Sequence, residues 1–310
     1  TARETSFHFR YIITQSMELK DKQDWKSVID NTDTFLFDCD GVLWTGNSDP
    51  VPGAQEAVRF LQSQGKAVYF VSNNSSQSRK EYISKFQKLG FHVNENEIFC
   101  TSYVTAYYLK HVLNFTQKVY LIGMEGFAQE LNAMGLSCIG PGNDPINGTS
   151  SDWLKMPIDL EVGAVVVGFD SNFSYMKLIK AVTLVNKPGC IFIATNEDSR
   201  LPAQSDVIIP GTGCFVAAVQ CGAEREPILI GKPHKPMFMC IRDSTHLDPA
   251  RTVMVGDRMN TDVLFGKQNG LKTILTFTGI TQRSELASAP EEWIPDYLCA
   301  SVGDLLVCRD

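Results

Sequence analysis

The segment Thr34-Phe35-Leu36-Phe37-Asp38-Cys39-Asp40-Gly41-Val42-Leu43-Trp44 constrains this chain most tightly. Residues of high β-propensity run directly into two aspartates and a glycine, the pattern of a buried parallel strand that ends at a site. Alternate strand residues share a face, so Asp38 and Asp40 point one way and Cys39 the other. Ligands in open α/β sheets lie beyond the carboxyl ends of the strands, which is where both carboxylates are delivered. Gly41 admits a backbone angle that other residues resist and lets the chain turn sharply above the pair. Taken alone, the stretch also fits a strand capped by a solvated Asp-x-Asp turn.

The pattern then recurs. Ala67–Val71 reads as a second strand and empties into Ser72-Asn73-Asn74-Ser75-Ser76, before a helix with Tyr82, Ile83, Phe86 and Leu89 on one face. Such a loop either presents N–H groups and the positive helix end to an anion or is a cluster of N-cap residues. Ile228–Ile230 reads as a strand ending at Gly231-Lys232-Pro233, where the proline disfavours a helical conformation for Lys232. Thr252–Val255 runs into Gly256-Asp257-Arg258-Met259-Asn260-Thr261-Asp262, with Asp257 at the tip and Asp262 about one helical turn on. Asp262 fits a capping role equally well there.

Between these segments the alternation restarts, with strands at Val119–Ile122, Ala164–Val167 and Ile191–Ala194, a helix over Ser174–Asn186 and a surface excursion at 140–160. The chain therefore reads as α/β: a Rossmann-like doubly wound parallel sheet formed by residues 30–116 and 227–310, an inserted α/β domain at 117–226 and an N-terminal extension at 1–29. Gly211-Thr212-Gly213 is a poor dinucleotide loop, because Val216 stands where a third glycine belongs, so no nicotinamide or flavin site is expected.

Composition narrows the partners. At 310 residues and 44% hydrophobic content there is material for two cores. A net charge of −7 without a basic patch argues against nucleic acid, and no apolar run approaches the ~18–20 residues of a membrane span. Nine cysteines without a C-x-x-C pair point to free thiols in a reducing compartment, and a cytoplasmic location is expected. Residues 1–16, with Arg3 and Arg10 beside Glu4, read as a processed leader before a natural start at Met17, and organelle targeting stays open.

In order, Asp-x-Asp-Gly-Val-Leu-Trp, Ser-Asn-Asn-Ser, Gly-Lys-Pro and Gly-Asp-Arg-x-x-Thr-Asp resemble the haloacid dehalogenase superfamily of phosphatases. Within it the chain is similar to the p-nitrophenylphosphatase group, which includes phosphoglycolate and pyridoxal phosphate phosphatases; Ala194-Thr195-Asn196 and Pro210-Gly211-Thr212-Gly213 of the insertion also match. The resemblance implies that the insertion is a cap domain over the site. It implies Asp38 as nucleophile, Asp40 as general acid and base, and Lys232 with Ser72, Asn73 and Asn74 at the phosphoryl group. It implies Mg²⁺ held by Asp38, the backbone carbonyl of Asp40, Asp257 and Asp262. Arg200 and Leu201, in the loop 196–202, would choose the substrate, a small phosphorylated acid such as 2-phosphoglycolate. A pyridoxal phosphate or phosphoprotein phosphatase and a cap-mediated protein-binding scaffold are the alternatives. Members of the group often dimerise through the cap, so a homodimer is the implied assembly. Cys39, between the two aspartates, is expected to expose the site to oxidation.

Overall fold

The computed structural model describes residues 16–46, 49–201 and 207–309. The leader reading of 1–15 and Pro202 of the substrate loop lie outside the described residues. Along the chain, β1 (Met17–Glu18), β2 (Thr34–Phe37), β3 (Trp44–Thr45), β4 (Asp49–Pro50), β5 (Ala67–Ser72) and β6 (Ile98–Cys100) come first. Then follow β7 (Lys118–Ile122), β8 (Cys138–Ile139), β9 (Val162–Val167), β10 (Ile191–Ala194) and β11 (Ile228–Leu229). The last three are β12 (Thr252–Gly256), β13 (Lys272–Thr276) and β14 (Tyr297–Cys299).

Two parallel sheets result. One has the order β1-β14-β13-β12-β2-β5-β6, the other β11-β10-β9-β7-β8, and β3 with β4 forms a small hairpin. Parallel strands are covered on both faces by their crossover helices, which explains why β2, β9 and β12 are buried at every residue and read as unbroken apolar runs. The helices cover those faces with apolar stripes at helical spacing: Ala54, Ala57, Val58 and Leu61 are the buried stripe of the helix Ala54–Ser63. Ser174 caps the helix Tyr175–Val185 by accepting from the Lys177 N–H.

The sheets depart from the expected division in two places. Residues 17–29 are not an appendage: β1 pairs with β14, and Trp25, Val28 and Ile29 of the helix Lys22–Asp30 are buried in the cluster around β2. The strand before Lys232 does not return to the first sheet. It joins the second, where Ile228 and Leu229 pair with Ile193 and Ala194. A two-residue apolar strand carries no information about which sheet it joins; here the edge of β10 is its partner. Leu36, Val71 and Met254 of the first sheet share one hydrophobic cluster with Leu121, Val166 and Ile193 of the second. Among the described residues no helix is long and apolar enough to cross a membrane.

Candidate active site

The site forms where β2, β5 and β12 end. Phe37 is level with Phe70 on one side and Val255 on the other, and the Asp38 N–H donates to the Val255 carbonyl at 2.8 Å. Asp38, Ser72 and Asp257 therefore leave the same edge of the sheet, beside the central strand. Gly41 has φ +92°, and a Cβ there would strike the Asp257 carboxylate, so both conformation and space demand glycine. Asp257 is further fixed by the Ile280 N–H, which donates to its Oδ2 at 2.6 Å.

Lys232 is the hub. Its Nζ donates to Asp38 Oδ1 at 2.8 Å, Asp262 Oδ1 at 2.7 Å and the Val71 carbonyl at 2.8 Å, which uses all three ammonium protons. Burial alone would pull this lysine down, but Asp262 and Asp38 outweigh it and hold its pKa above the usual value. Asp262 is thus more than a cap: one oxygen meets Lys232, while the other accepts from the Arg258 N–H at 3.1 Å.

The carboxylates of Asp38, Asp257 and Asp262 lie within 4.8 Å of one another and all three residues are buried. Burial, more than the neighbouring aspartates, pushes Asp38 well above the ordinary carboxyl range despite Lys232. Burial and then Asp262 push Asp257 up to about 6. With all three ionised, one ammonium against three carboxylates would leave two negative charges unbalanced. An all-oxygen donor set of that charge fits a hard divalent cation such as Mg²⁺. The Asp40 carboxylate stands apart from this trio. Its Oδ1 accepts from the Trp44 indole N–H at 2.8 Å and lies 3.7 Å from Lys85 Nζ.

The helix end beyond the β5 loop behaves differently from an anion cradle. The Ser78 N–H donates to Glu81 Oε2 at 2.7 Å and the Arg79 N–H to Glu130 Oε1 at 2.6 Å. Carboxylates of the protein itself already occupy that helix end, where Ser78 is the N-cap, while Ser72 to Ser76 line the cavity ahead of it. Ser72 Oγ lies 3.0 Å from the Tyr82 hydroxyl, and Asn74 Oδ1 accepts from the Ser76 N–H and hydroxyl. Asn73 clamps the lysine backbone: its Oδ1 accepts from Lys232 N at 2.8 Å and its Nδ2 donates to Lys232 O at 3.0 Å.

Asp38, Asp40, Ser72, Asn73, Asn74, Lys232 and Asp257 line a cavity of about 250 Å³ together with Arg200 and Leu201. Among the lining residues that had escaped the sequence reading are Asp198 and Arg258, joined by a 2.6 Å ion pair. Arg258 sits inside the Gly-Asp-Arg motif, so the signal was present without a partner to give it meaning. Cys39 is fully buried in the apolar cluster on the opposite face of the strand, and burial pushes its thiol well above the usual value. A buried, protonated thiol is inert, which removes the expected oxidation route.

Known proteins resemble this chain over most of its length. Residues 35–137 match the haloacid dehalogenase-like hydrolase model, and residues 229–305 a second HAD-hydrolase-like model. Glycerol-3-phosphate phosphatase of Homo sapiens is 43% identical over 91% of this chain and 92% of its own. Phosphoglycolate phosphatase 2 of Arabidopsis thaliana is 41% identical over 93% of this chain and 97% of its own. The solved p-nitrophenyl phosphatase from Archaeoglobus fulgidus superposes with a TM-score of 0.75 at 32% identity, covering 89% of this chain and 98% of that one. The chain belongs to the haloacid dehalogenase-like hydrolases, among their phosphatases.

Proposed function

We propose that this protein is a Mg²⁺-dependent phosphomonoester hydrolase that works through an aspartyl-phosphate on small phosphorylated metabolites, with 2-phosphoglycolate as the preferred substrate. The observation that carries the reading is Lys232, held between Asp38 and Asp262 with Asp257 beside them at one strand edge. Lys232 engages Oδ1 of Asp38, which leaves Oδ2 to attack phosphorus in line. The new bond is Asp38 O–P and the bond broken is phosphorus to the ester oxygen. Asp40, steadied by the Trp44 indole, protonates the departing oxygen and then takes a proton from the water that hydrolyses the acyl phosphate. Lys232 meets the charge that spreads over the phosphoryl oxygens. Asp38, Asp257, Asp262 and the Asp40 carbonyl would hold Mg²⁺, which when bound neutralises phosphoryl charge.

Ser72 and Asn73 remain proposed phosphate binders, and the Asn73 amide also keeps Lys232 in place. Asn74 spends its side-chain oxygen on Ser76 and offers the phosphate at most its amide nitrogen. The second sheet acts as the cap. A cavity of about 250 Å³ lies below the range of drug-sized pockets, which supports a small ester over a phosphoprotein. Arg200 in the cavity lining supports a substrate bearing a second anionic group. Glycerol 3-phosphate is the rival, because the relative named for it is 43% identical and the one named for phosphoglycolate 41%. Nine unpaired cysteines support a reducing compartment, for which the cytoplasm is proposed, and a cap-mediated homodimer is the proposed assembly.

The test is a panel of 2-phosphoglycolate, glycerol 3-phosphate, pyridoxal 5′-phosphate, p-nitrophenyl phosphate and phosphopeptides, assayed with and without Mg²⁺, with Asp38→Asn as control. Hydrolysis that needs Mg²⁺ and Asp38 and is fastest on 2-phosphoglycolate is expected. Turnover surviving Asp38→Asn would refute the mechanism, and a clear preference for another ester would refute the substrate.

A further inference from the structure

The loop 196–201 reaches the site from the second sheet, yet its anchors belong to the first. Asp198 Oδ1 accepts from Arg258 Nη1 at 2.6 Å, and Oδ2 accepts from Asn196 Nδ2 at 2.6 Å and from Asn73 Nδ2 at 3.4 Å. Both oxygens are thus engaged by protein donors, and Asp198 lies outside the buried trio of Asp38, Asp257 and Asp262. Its two long-range partners each touch a member of the charged cluster. Asn73 clamps the backbone of Lys232, and Arg258 follows Asp257 directly while donating its own N–H to Asp262.

The Gly211-Thr212-Gly213 motif, a poor dinucleotide loop by its sequence, has a use here. The Gly213 N–H donates to the Asp198 carbonyl at 3.0 Å and the Gly211 N–H to the Ser199 carbonyl at 2.9 Å. A Cβ on either glycine would collide with the carbonyl oxygens of Glu197 or Asp198. The helix Thr212–Ala223 therefore grips the backbone of this loop from behind while the Asp198 side chain grips the core in front. His234 Nε2 lies 3.4 Å from Glu197 Oε2, a second, weaker tie between the same loop and the turn that carries Lys232.

We propose that Asp198 is a positioning residue that sets the substrate loop and the catalytic lysine together. Through Arg258 and Asn73 one carboxylate fixes both the roof over the phosphate and the floor beneath it, so the loop that selects the substrate is also required to align Lys232. The proposal rests on the phosphatase reading, and it adds that losing Asp198 harms the core as well as the roof. It also separates Asp198 from Arg200: a specificity contact affects some substrates more than others, whereas misalignment of Lys232 affects every phosphomonoester alike.

The experiment is a double-mutant cycle of Asp198→Asn and Arg258→Gln, with wild type and Asp38→Asn alongside, assayed on p-nitrophenyl phosphate and 2-phosphoglycolate. Each single variant is expected to lose about ten-fold or more in kcat/KM, by the same factor on both substrates, and the double variant to be no worse than the weaker single one. Arg258→Lys should recover part of the loss, because an ammonium still reaches one carboxylate oxygen. Amide hydrogen exchange, which needs no turnover, is read on the same proteins. Exchange in Asp198→Asn should quicken at 71–74 and 231–234 as well as at 196–201, with an unchanged far-UV spectrum. Losses that differ between substrates, additive losses in the double variant, or faster exchange confined to 196–201 would each overturn the proposal. Failure of the wild type to hydrolyse either ester would instead overturn the phosphatase reading, with the exchange data still deciding the coupling.

Discussion

Replacing Lys232 by methionine tests the electrostatics of the site most directly. The lysine is 3% exposed and its ammonium is the balancing charge against Asp38 and Asp262. With all three carboxylates ionised at separations up to 4.8 Å, each pair repels by at least ~3.5 kcal/mol at an effective dielectric of 20. Removing one member of a buried ion pair typically costs ~3–5 kcal/mol. The variant relieves part of that by protonating Asp38 and Asp257, whose pKa values burial already raises. A carboxyl with a raised folded-state pKa loses stability as pH rises above its unfolded value, and removing the lysine raises these pKa values further. The penalty should therefore be small near pH 4 and grow toward pH 8. At ~2.1 cal/mol/K of unfolding entropy per residue, about 3 kcal/mol corresponds to a fall in melting midpoint of roughly 5 °C. Thermal melts of both proteins in chelator at pH 4 to 8, repeated with Mg²⁺, measure this. Added Mg²⁺ should narrow the gap, because it supplies the missing positive charge. A penalty independent of pH, or larger in acid, would refute the assignment of Lys232 as the compensating charge.

Further outcomes follow from other contacts. Asp257, held up to about 6 by burial and Asp262, must lose its proton to coordinate a cation. Mg²⁺ affinity measured calorimetrically should therefore weaken as pH falls through 6, and Asp257→Asn should flatten that dependence. Trp44→Phe removes the donor that steadies Asp40; turnover of 2-phosphoglycolate, whose alkoxide needs a proton, should fall about ten-fold, and that of p-nitrophenyl phosphate much less. Equal losses would mean that Trp44 matters only as packing. Beside the second sheet, Lys177 of the helix Tyr175–Val185 and Asp170 form a fully buried pair at 2.5 Å. Lys177→Met alone should destabilise by about 3–5 kcal/mol, and Lys177→Met with Asp170→Leu by much less, as read from chemical denaturation.

The cavity shows how differently the parts of the site could be read in advance. Asp38, Asp40 and Asp257 were legible because each follows a buried parallel strand, and burial on both faces writes itself as an unbroken apolar run. The helix over 174–186 was legible for the same reason, since its apolar period and its caps are local chemistry. The loop after β5 was ambiguous because serine and asparagine serve anion loops and helix caps equally, and only the fold shows that Glu81 and Glu130, the latter 51 residues from its Arg79 partner, take the N–H groups at the helix end.

What the sequence by itself determined was the alternation of strands and helices, the edge at which the carboxylates emerge and the set of groups available for chemistry. These depend on side-chain period and on residues adjacent in the chain. Only the tertiary structure decided which sheet claims Ile228 and Leu229, that Lys232 reaches back 194 residues to Asp38, and that Asp198 meets Arg258 across 60. A short apolar strand pairs with whichever edge is open, and a charge finds its counter-charge through space. Neither is encoded by neighbours along the chain.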